Sequence, residues 1–220
     1  MNWKAIFFDL DGTLIHTAPE IADAVNDTLR EFSFPEVTQN QVNGWIGQGT
    51  RELLILAIAH VQEKNIDEVR HSDVFADALP VFNRYYQARC GTRSELYPHV
   101  RDTLKILREK NCRLAVVTNK EDRYTQTILM QHNLLHCFDL VVSGDTFTQK
   151  KPNPVGVIHG LQRWGIKATD ALFVGDSSID AATARNAGLP VWLLPYGYNM
   201  GQPVTACAPD RVIQNFSELV

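Results

Sequence analysis

The sequence predicts an α/β protein: a doubly wound parallel sheet with a helical cap inserted after its first strand. Three observations predict it. Apolar runs recur at residues 5–8, 114–117, 140–142, 171–174 and 191–194. They are continuous rather than alternating, which marks strands buried on both faces, as in parallel sheets. From Pro98 onward these runs alternate with helical periodicities, the pattern of successive βαβ units. Between the first run and the others lie about 70 residues of helical character, too many for an ordinary connection.

The bulk properties fit this class. The 220 residues suffice for one domain and an insertion, and 45% are hydrophobic. A mean hydropathy of −0.17 agrees with a folded chain that has a full core. We assign residues 1–15 and 91–220 to the α/β core and residues 16–90 to the cap. The net charge of −4 and pI near 6.0 provide no basic field for nucleic acid. An anionic substrate must therefore be held by local cations or a metal. Cys90, Cys112, Cys137 and Cys207 are scattered without a C-x-x-C pair, so they read as reduced thiols rather than zinc ligands. No basic segment followed by a long apolar stretch opens the chain, so no signal peptide is expected. No run approaches the roughly 18 apolar residues of a membrane span. These readings place the chain in the cytoplasm, as a monomer or homodimer, with neither nucleic acid nor membrane as a partner.

The elements follow in order. The first strand runs into Asp9-Leu10-Asp11-Gly12-Thr13, where glycine permits a sharp turn. Pro19-Glu20 suits the first turn of a helix, and Ile21, Ala24, Val25, Thr28 and Leu29 form one helical face. Phe34-Pro35 ends it. A short helix is expected at 42–46, broken at Gly47-Gln48-Gly49. Thr50 can cap a helix over 51–64. A further helical stretch covers 67–89, kinked or interrupted at Pro80. Val100, Leu104 and Leu107 share a helical face. Then come a strand at 113–118, a helix at 121–132, a strand at 140–142 and a loop over 143–152. A helix starting near Pro154 precedes the strand at 171–174. The alanine-rich helix after Ser178 stops at Gly188. A strand at 191–194, a weaker one at 211–213 and a short helix at Ser217 close the chain.

In a doubly wound sheet, ligands bind outside the carboxyl ends of the strands. Here the first strand ends at Asp9 and Asp11, and the second at Thr118-Asn119-Lys120. The third leads through Gly144-Asp145 to Lys150-Lys151-Pro152, and the fourth ends at Gly175-Asp176-Ser177-Ser178-Ile179-Asp180. Two carboxylates where a buried strand opens into a loop are costly unless a cation neutralises them. Mg²⁺ suits them, since it prefers oxygen ligands and needs only one or two carboxylates. Lys150 reads as a surface charge, and Lys120 either caps the following helix or points into the site. The seven histidines show no metal-ligand spacing.

Taken in order, Asp9-Leu10-Asp11-Gly12-Thr13, Thr118-Asn119, Lys151-Pro152 and Gly175-Asp176 with Asp180 resemble the four motifs of the haloacid dehalogenase-like hydrolases. The resemblance spans the whole chain. It implies that Asp9 is the nucleophile that forms an aspartyl-phosphate and that Asp11 is the general acid/base. Thr118, Asn119 and Lys151 would hold the phosphoryl group. Asp9, Asp176 and the backbone carbonyl of Asp11 would ligate Mg²⁺, with Gly175 and Asp180 supporting them from behind. A covalent carboxylate nucleophile divides one difficult displacement into two. A positioned acid/base contributes roughly 10²–10⁴ in rate.

The cap resembles that of the phosphoglycolate phosphatase family. Gly47, Gln48 and Gly49 occupy the place of its specificity loop, and Tyr196-Gly197-Tyr198-Asn199 also resembles that family. The substrate implied is a small phosphorylated metabolite, 2-phosphoglycolate. Arg51, just beyond the loop, is the expected partner for its carboxylate. One position departs from the pattern: His16 stands where the family has an acid. Alternatives within the fold are a phosphatase for another small ester, a nucleotide or pyrophosphate, or a sugar-phosphate mutase. An inactive binding protein of the same fold is opposed by the intact Asp9, Asp11, Thr118, Lys151 and Asp176.

Overall fold

A computed structural model describes residues 3–220. In chain order the elements are β1 (Ala5–Phe8), β2 (Ile15–His16), α1 (Ala18–Glu31), α2 (Gln39–Asn43), α3 (Thr50–Gln62), α4 (Ile66–Arg70), α5 (Asp73–Arg89), β3 (Glu95–Leu96), α6 (Val100–Glu109), β4 (Arg113–Val117), α7 (Asp122–Gln131), β5 (Leu140–Val142), α8 (Val155–Trp164), β6 (Ala171–Gly175), α9 (Ser178–Asn186), β7 (Val191–Leu193) and β8 (Arg211–Val212). A six-stranded sheet has the order β5-β4-β1-β6-β7-β8, and its pairings are all parallel. β1 lies between β4 and β6, with Phe8 level with Val116 and Val174. That register brings the ends of the three strands to one edge. The strand order reverses beside β1, where a doubly wound sheet forms its binding crevice.

The apolar runs are buried on both faces, as their continuity predicts. Ile6, Phe8, Leu114, Val116, Leu172 and Val174 point into a core shared with α6, α7 and the inserted helices. Ala5, Phe7, Ala115, Val117 and Phe173 face α8 and α9. Within the insertion, α1 and α5 form the main helix pair. Ile21, Ala24, Val25, Thr28 and Leu29 are buried, so the predicted stripe is the packed face of α1.

Three details of the insertion depart from expectation. The break in the 67–89 stretch falls at His71-Ser72, and α5 runs on through Pro80. The Ser72 hydroxyl caps α5 by accepting from Phe75 N–H at 3.2 Å. A proline inside a helix costs about 3 kcal/mol. Burying Phe75, Ala78, Phe82 and Tyr86 outweighs this, at roughly 1.5–3 kcal/mol for each large side chain. α2 begins at Gln39, earlier than expected, because Thr38 and Gln41 form a capping box there. Thr50 is the first residue of α3 rather than its cap, and its hydroxyl donates to Glu121 Oε1 at 2.6 Å. That bond ties the cap to the loop after β4.

The chain enters and leaves the insertion side by side. β2 and β3 pair antiparallel, Ile15 with Leu96 and His16 with Glu95. Two-residue strands are too short for a readable alternation, so this pair is visible only in the structure. Glu20 ties the crossing further. Its Oε2 accepts from the N–H groups of Gly91, Arg93 and Ser94 at 2.9, 3.2 and 3.1 Å. Burial raises its carboxyl above the ordinary value.

Candidate active site

The first three turns after the strands supply most of the site. β1 delivers Asp9 into the crevice, 8% exposed. Asp9 Oδ1 accepts from Leu10 N–H at 2.7 Å and pairs with the Lys151 ammonium at 2.8 Å. Both contacts fall on Oδ1, so Oδ2 is the oxygen they leave free. Lys151 is itself buried, and its ammonium also reaches Asp180 Oδ1 at 2.8 Å. Asp180 Oδ2 accepts from Asp176 N–H, Ser177 N–H and Ser177 Oγ at 3.1, 3.1 and 2.7 Å. Asp180 thus spends its whole carboxylate on the turn at the end of β6 and on the lysine. Gly175 makes this possible, because a Cβ there would lie 2.4 Å from the Asp180 carboxyl carbon.

Asp176 has a different environment. Thr13 Oγ donates to its Oδ1 at 2.6 Å, and Tyr198 N–H to its Oδ2 at 2.5 Å. Asp9, Asp176 and Asp180 place carboxylate oxygens within 4.8 Å of one another, all buried. Burial pushes Asp9 up to about 7 against the opposing pull of Lys151. Burial raises Asp176 well above the ordinary range, and the Asp180 and Asp9 charges add to it. Burial alone would lower Lys151, but Asp180 and Asp9 hold it above its ordinary value. One lysine among three buried acids leaves a deficit of positive charge. A hard divalent cation fits that deficit and that all-oxygen donor set.

Asp11 stands apart from the acid cluster. Thr17 Oγ donates to its Oδ1 at 2.6 Å. The Lys120 ammonium lies 2.9 and 2.8 Å from its two oxygens, and the Lys120 side chain is 1% exposed. Lys120 therefore points into the site rather than capping α7, and it also lies 5.0 Å from the centre of the Tyr86 ring of α5. Burial opposes its charge, but Asp11 more than compensates, so the ammonium is held above its ordinary value.

A cavity joins the two halves of the site. It is lined by Asp9, Asp11, Thr118, Asn119 and Lys120 from the core and by Ile21, Ile46, Gly47, Gly49, Thr50 and Leu53 from the insertion. The 47–49 loop is docked on the core through its carbonyls. Asn119 Nδ2 donates to Gly47 O at 3.0 Å and to Lys151 O at 3.1 Å. Lys150 Nζ donates to Gln48 O at 2.5 Å, so this exposed lysine is also a contact of the loop. Gly49 has φ +94°, and a Cβ there would meet the Asn119 carbonyl at 3.0 Å. Only glycine both takes that backbone and allows so close an approach.

Two sequence candidates lie outside this cavity. Gln48 is exposed and contributes its carbonyl to Lys150. Arg51 is also exposed; its guanidinium sits 4.6 Å from the centre of the Phe75 ring. Arg51 stacks there because it lies on the face of α3 that turns toward α5, away from Leu53 and the cavity. In this placement Arg51 is not among the residues that line the cavity, where a substrate carboxylate was expected to meet it. Conversely, Thr13, Thr17 and Tyr198 hold the acids, a role that no spacing in the sequence assigns to them. His16 Nδ1 lies 2.7 Å from the Tyr198 hydroxyl, which accepts from Ala18 N–H at 3.1 Å. The residue that departs from the family pattern thus joins the entry strand of the insertion to the loop that supports Asp176.

Comparison with known proteins agrees with this geometry. The profile of the haloacid dehalogenase-like hydrolases matches residues 6–194. A phosphoglycolate phosphatase of Vibrio vulnificus (strain YJ016) is 38% identical over 217 residues, covering 99% of this chain and 94% of its own. One from Nitrosospira multiformis is also 38% identical, covering 98% of this chain and 93% of its own. The crystal structure of a predicted phosphoglycolate phosphatase from Haemophilus somnus 129PT superposes with a TM-score of 0.91 at 32% identity, over 100% of this chain and 97% of that one. With its parallel sheet, its strand-end acids and full-length relatives of this kind, the chain is a phosphatase that belongs to the haloacid dehalogenase-like hydrolases, in the phosphoglycolate phosphatase family.

Proposed function

We propose that the protein is a Mg²⁺-dependent phosphatase that hydrolyses 2-phosphoglycolate to glycolate and phosphate through an aspartyl-phosphate on Asp9. The observation that carries this reading is the shared cavity: Asp9 and Asp11 open into one space that residues 46–53 of the insertion close from the other side. The names of the full-length relatives support the substrate. On this reading residues 1–15 and 91–220 are the catalytic core and residues 16–90 the cap. The core handles the phosphoryl group, and the cap admits only a small leaving group. The enzyme would work in the cytoplasm. No described helix is long and apolar enough to cross a membrane.

A carboxylate oxygen of Asp9 attacks phosphorus, and the bond to the leaving oxygen breaks. Asp11 gives that oxygen a proton, and glycolate leaves. Asp11 then takes a proton from water, which attacks the aspartyl-phosphate and releases phosphate with Asp9 restored. Lys151, Thr118 and the Asn119 backbone stabilise the charge that spreads over the transferring oxygens. Asp9, Asp176 and the Asp11 carbonyl would hold Mg²⁺, which when bound screens the repulsion between carboxylate and phosphate. Asp180 and Gly175 hold Lys151 and the β6 turn in place. Walls built from Ile21, Ile46 and Leu53 exclude water while the ester is cleaved.

A panel of kcat/KM values with Mg²⁺ for 2-phosphoglycolate, hexose phosphates, nucleotides and pyrophosphate tests the substrate. Phosphoglycolate should lead by about tenfold or more, one binding increment of ~1.4 kcal/mol. A hexose phosphate or nucleotide ahead of it overturns the reading.

The cation has a pH signature. In the metal-free protein, burial places the folded-state pKa of Asp9 at about 7, above its ordinary 3.8. The folded state then binds the extra proton between those values, so stability falls as pH rises through that window. Mg²⁺ needs the ionised carboxylates. Saturating Mg²⁺ should raise Tm by about 5 °C or more at pH 8 and by almost nothing at pH 5. An equal rise at both values in differential scanning calorimetry contradicts this assignment of the ligands.

A further inference from the structure

We infer that Lys120 is the specificity-determining cation of this phosphatase: it exchanges part of its contact with Asp11 for the carboxylate of the leaving group. The inference rests on the reading of the substrate given above.

Among the described residues that line the cavity, Lys120 is the only basic one. The insertion contributes Ile21, Ile46, Gly47, Gly49, Thr50 and Leu53 to the same wall, none of which carries charge. Arg51, the nearest arginine in sequence, is stacked on Phe75 outside the cavity. Lys151 is committed on both sides, to Asp9 and Asp180. A carboxylate entering a space with apolar walls meets a large desolvation cost unless a cation meets it there. Lys120 is the cation in place.

Its present partners show how the exchange works. An ammonium has three donors. Lys120 places them within reach of both Asp11 oxygens, at 2.9 and 2.8 Å. While that bidentate pair persists, both carboxylate oxygens of Asp11 are occupied, one of them also by Thr17. Asp11 can serve the leaving oxygen only if one of these contacts loosens. A leaving group that carries its own carboxylate competes for the ammonium and loosens it. A neutral leaving group leaves the Lys120–Asp11 pair intact. Discrimination therefore appears in turnover as well as in binding, and one residue links recognition of the leaving group to release of the acid/base.

Lys120 is a positioning residue for Asp11 and a binding residue for the substrate, and the two roles separate experimentally. The probes are 2-phosphoglycolate and 2-hydroxyethyl phosphate, in which a neutral hydroxymethyl group replaces the carboxylate. The wild-type enzyme should favour phosphoglycolate by about 100-fold or more in kcat/KM. Lys120→Met should lower kcat/KM for phosphoglycolate about 100-fold more than it lowers that for hydroxyethyl phosphate, so that the preference collapses. Lys120→Gln keeps a donor for Asp11 without the charge and serves if the methionine variant does not fold. It should show the same collapse. Lys120→Arg should retain most of the preference. Equal loss on both substrates, or no loss on either, overturns the inference by reducing Lys120 to a structural partner of Asp11. The wild-type arm judges the substrate reading separately: a wild-type enzyme that turns over hydroxyethyl phosphate as well as phosphoglycolate refutes that reading before any variant is made.

Discussion

Asp9→Asn should lower kcat by about 10⁴-fold or more, the scale of loss when a covalent nucleophile is removed, and should leave the fold as stable as before or more so. The two halves of this expectation have one origin. Asp9 is a carboxylate held where a carboxylate is expensive, and burial pushes it up to about 7. Asparagine keeps the shape and can keep the acceptor for Leu10 N–H, now 2.7 Å away. It removes one of three buried acids that crowd within 4.8 Å. Lys151 loses one partner but retains Asp180 at 2.8 Å, so no cation is stranded. What asparagine cannot do is attack phosphorus, because its amide oxygen is neutral. Stopped-flow turnover should lose both the steady state and any burst of acyl phosphate, and the midpoint of thermal unfolding at pH 8 should stay level or rise. Turnover within about 100-fold of wild type would remove Asp9 from the nucleophile's role.

The parts of this molecule that were legible in the sequence are those where one residue type has one physical destination. Four consecutive apolar residues at 5–8 can only be a buried segment, and they are the central strand. The acids after strand ends had to meet cations, and Asp9 meets Lys151. Long flexible side chains were less legible. The positions of Arg51, Lys120 and Lys150 were readable, but the directions of their side chains were not. Arg51 went to an aromatic ring, Lys120 to Asp11, and Lys150 to a loop carbonyl. Each choice depends on neighbours distant in the chain. Pro80 misled for a related reason: its local cost is visible in sequence, whereas the aromatic burial that outweighs it is tertiary. The β2–β3 pair lay below the length at which alternation can be detected. Within the site, Thr13, Thr17 and Tyr198 were hidden because hydroxyls and backbone N–H groups carry no pattern of their own.

Lys151→Met should be the most damaging change to the fold that the site can suffer, and its damage should depend on pH. Lys151 is 2% exposed in its side chain and joins Asp9 and Asp180 at 2.8 Å each. It is the only ammonium in contact with these acids among the described residues. Methionine of similar length fills the space but leaves Asp9, Asp176 and Asp180 facing one another without a cation. Breaking one side of a buried ion pair costs about 3–5 kcal/mol. The sign of the pH effect follows from the lysine's present influence, which lowers Asp9 against the push of burial. Without it the Asp9 carboxyl rises further. The variant then binds protons that the unfolded chain does not, up to a higher pH, and it loses stability as those protons leave. Urea unfolding without metal should therefore show a larger deficit at pH 8 than at pH 5. Phosphoryl transfer should fall by about 10³-fold, since an electrostatic donor to the transferring oxygens is gone, and added Mg²⁺ should recover stability far more than rate. An equal deficit at both pH values would mean that Lys151 acts through packing alone. Activity within about tenfold of wild type would mean that the phosphoryl group is held by other residues.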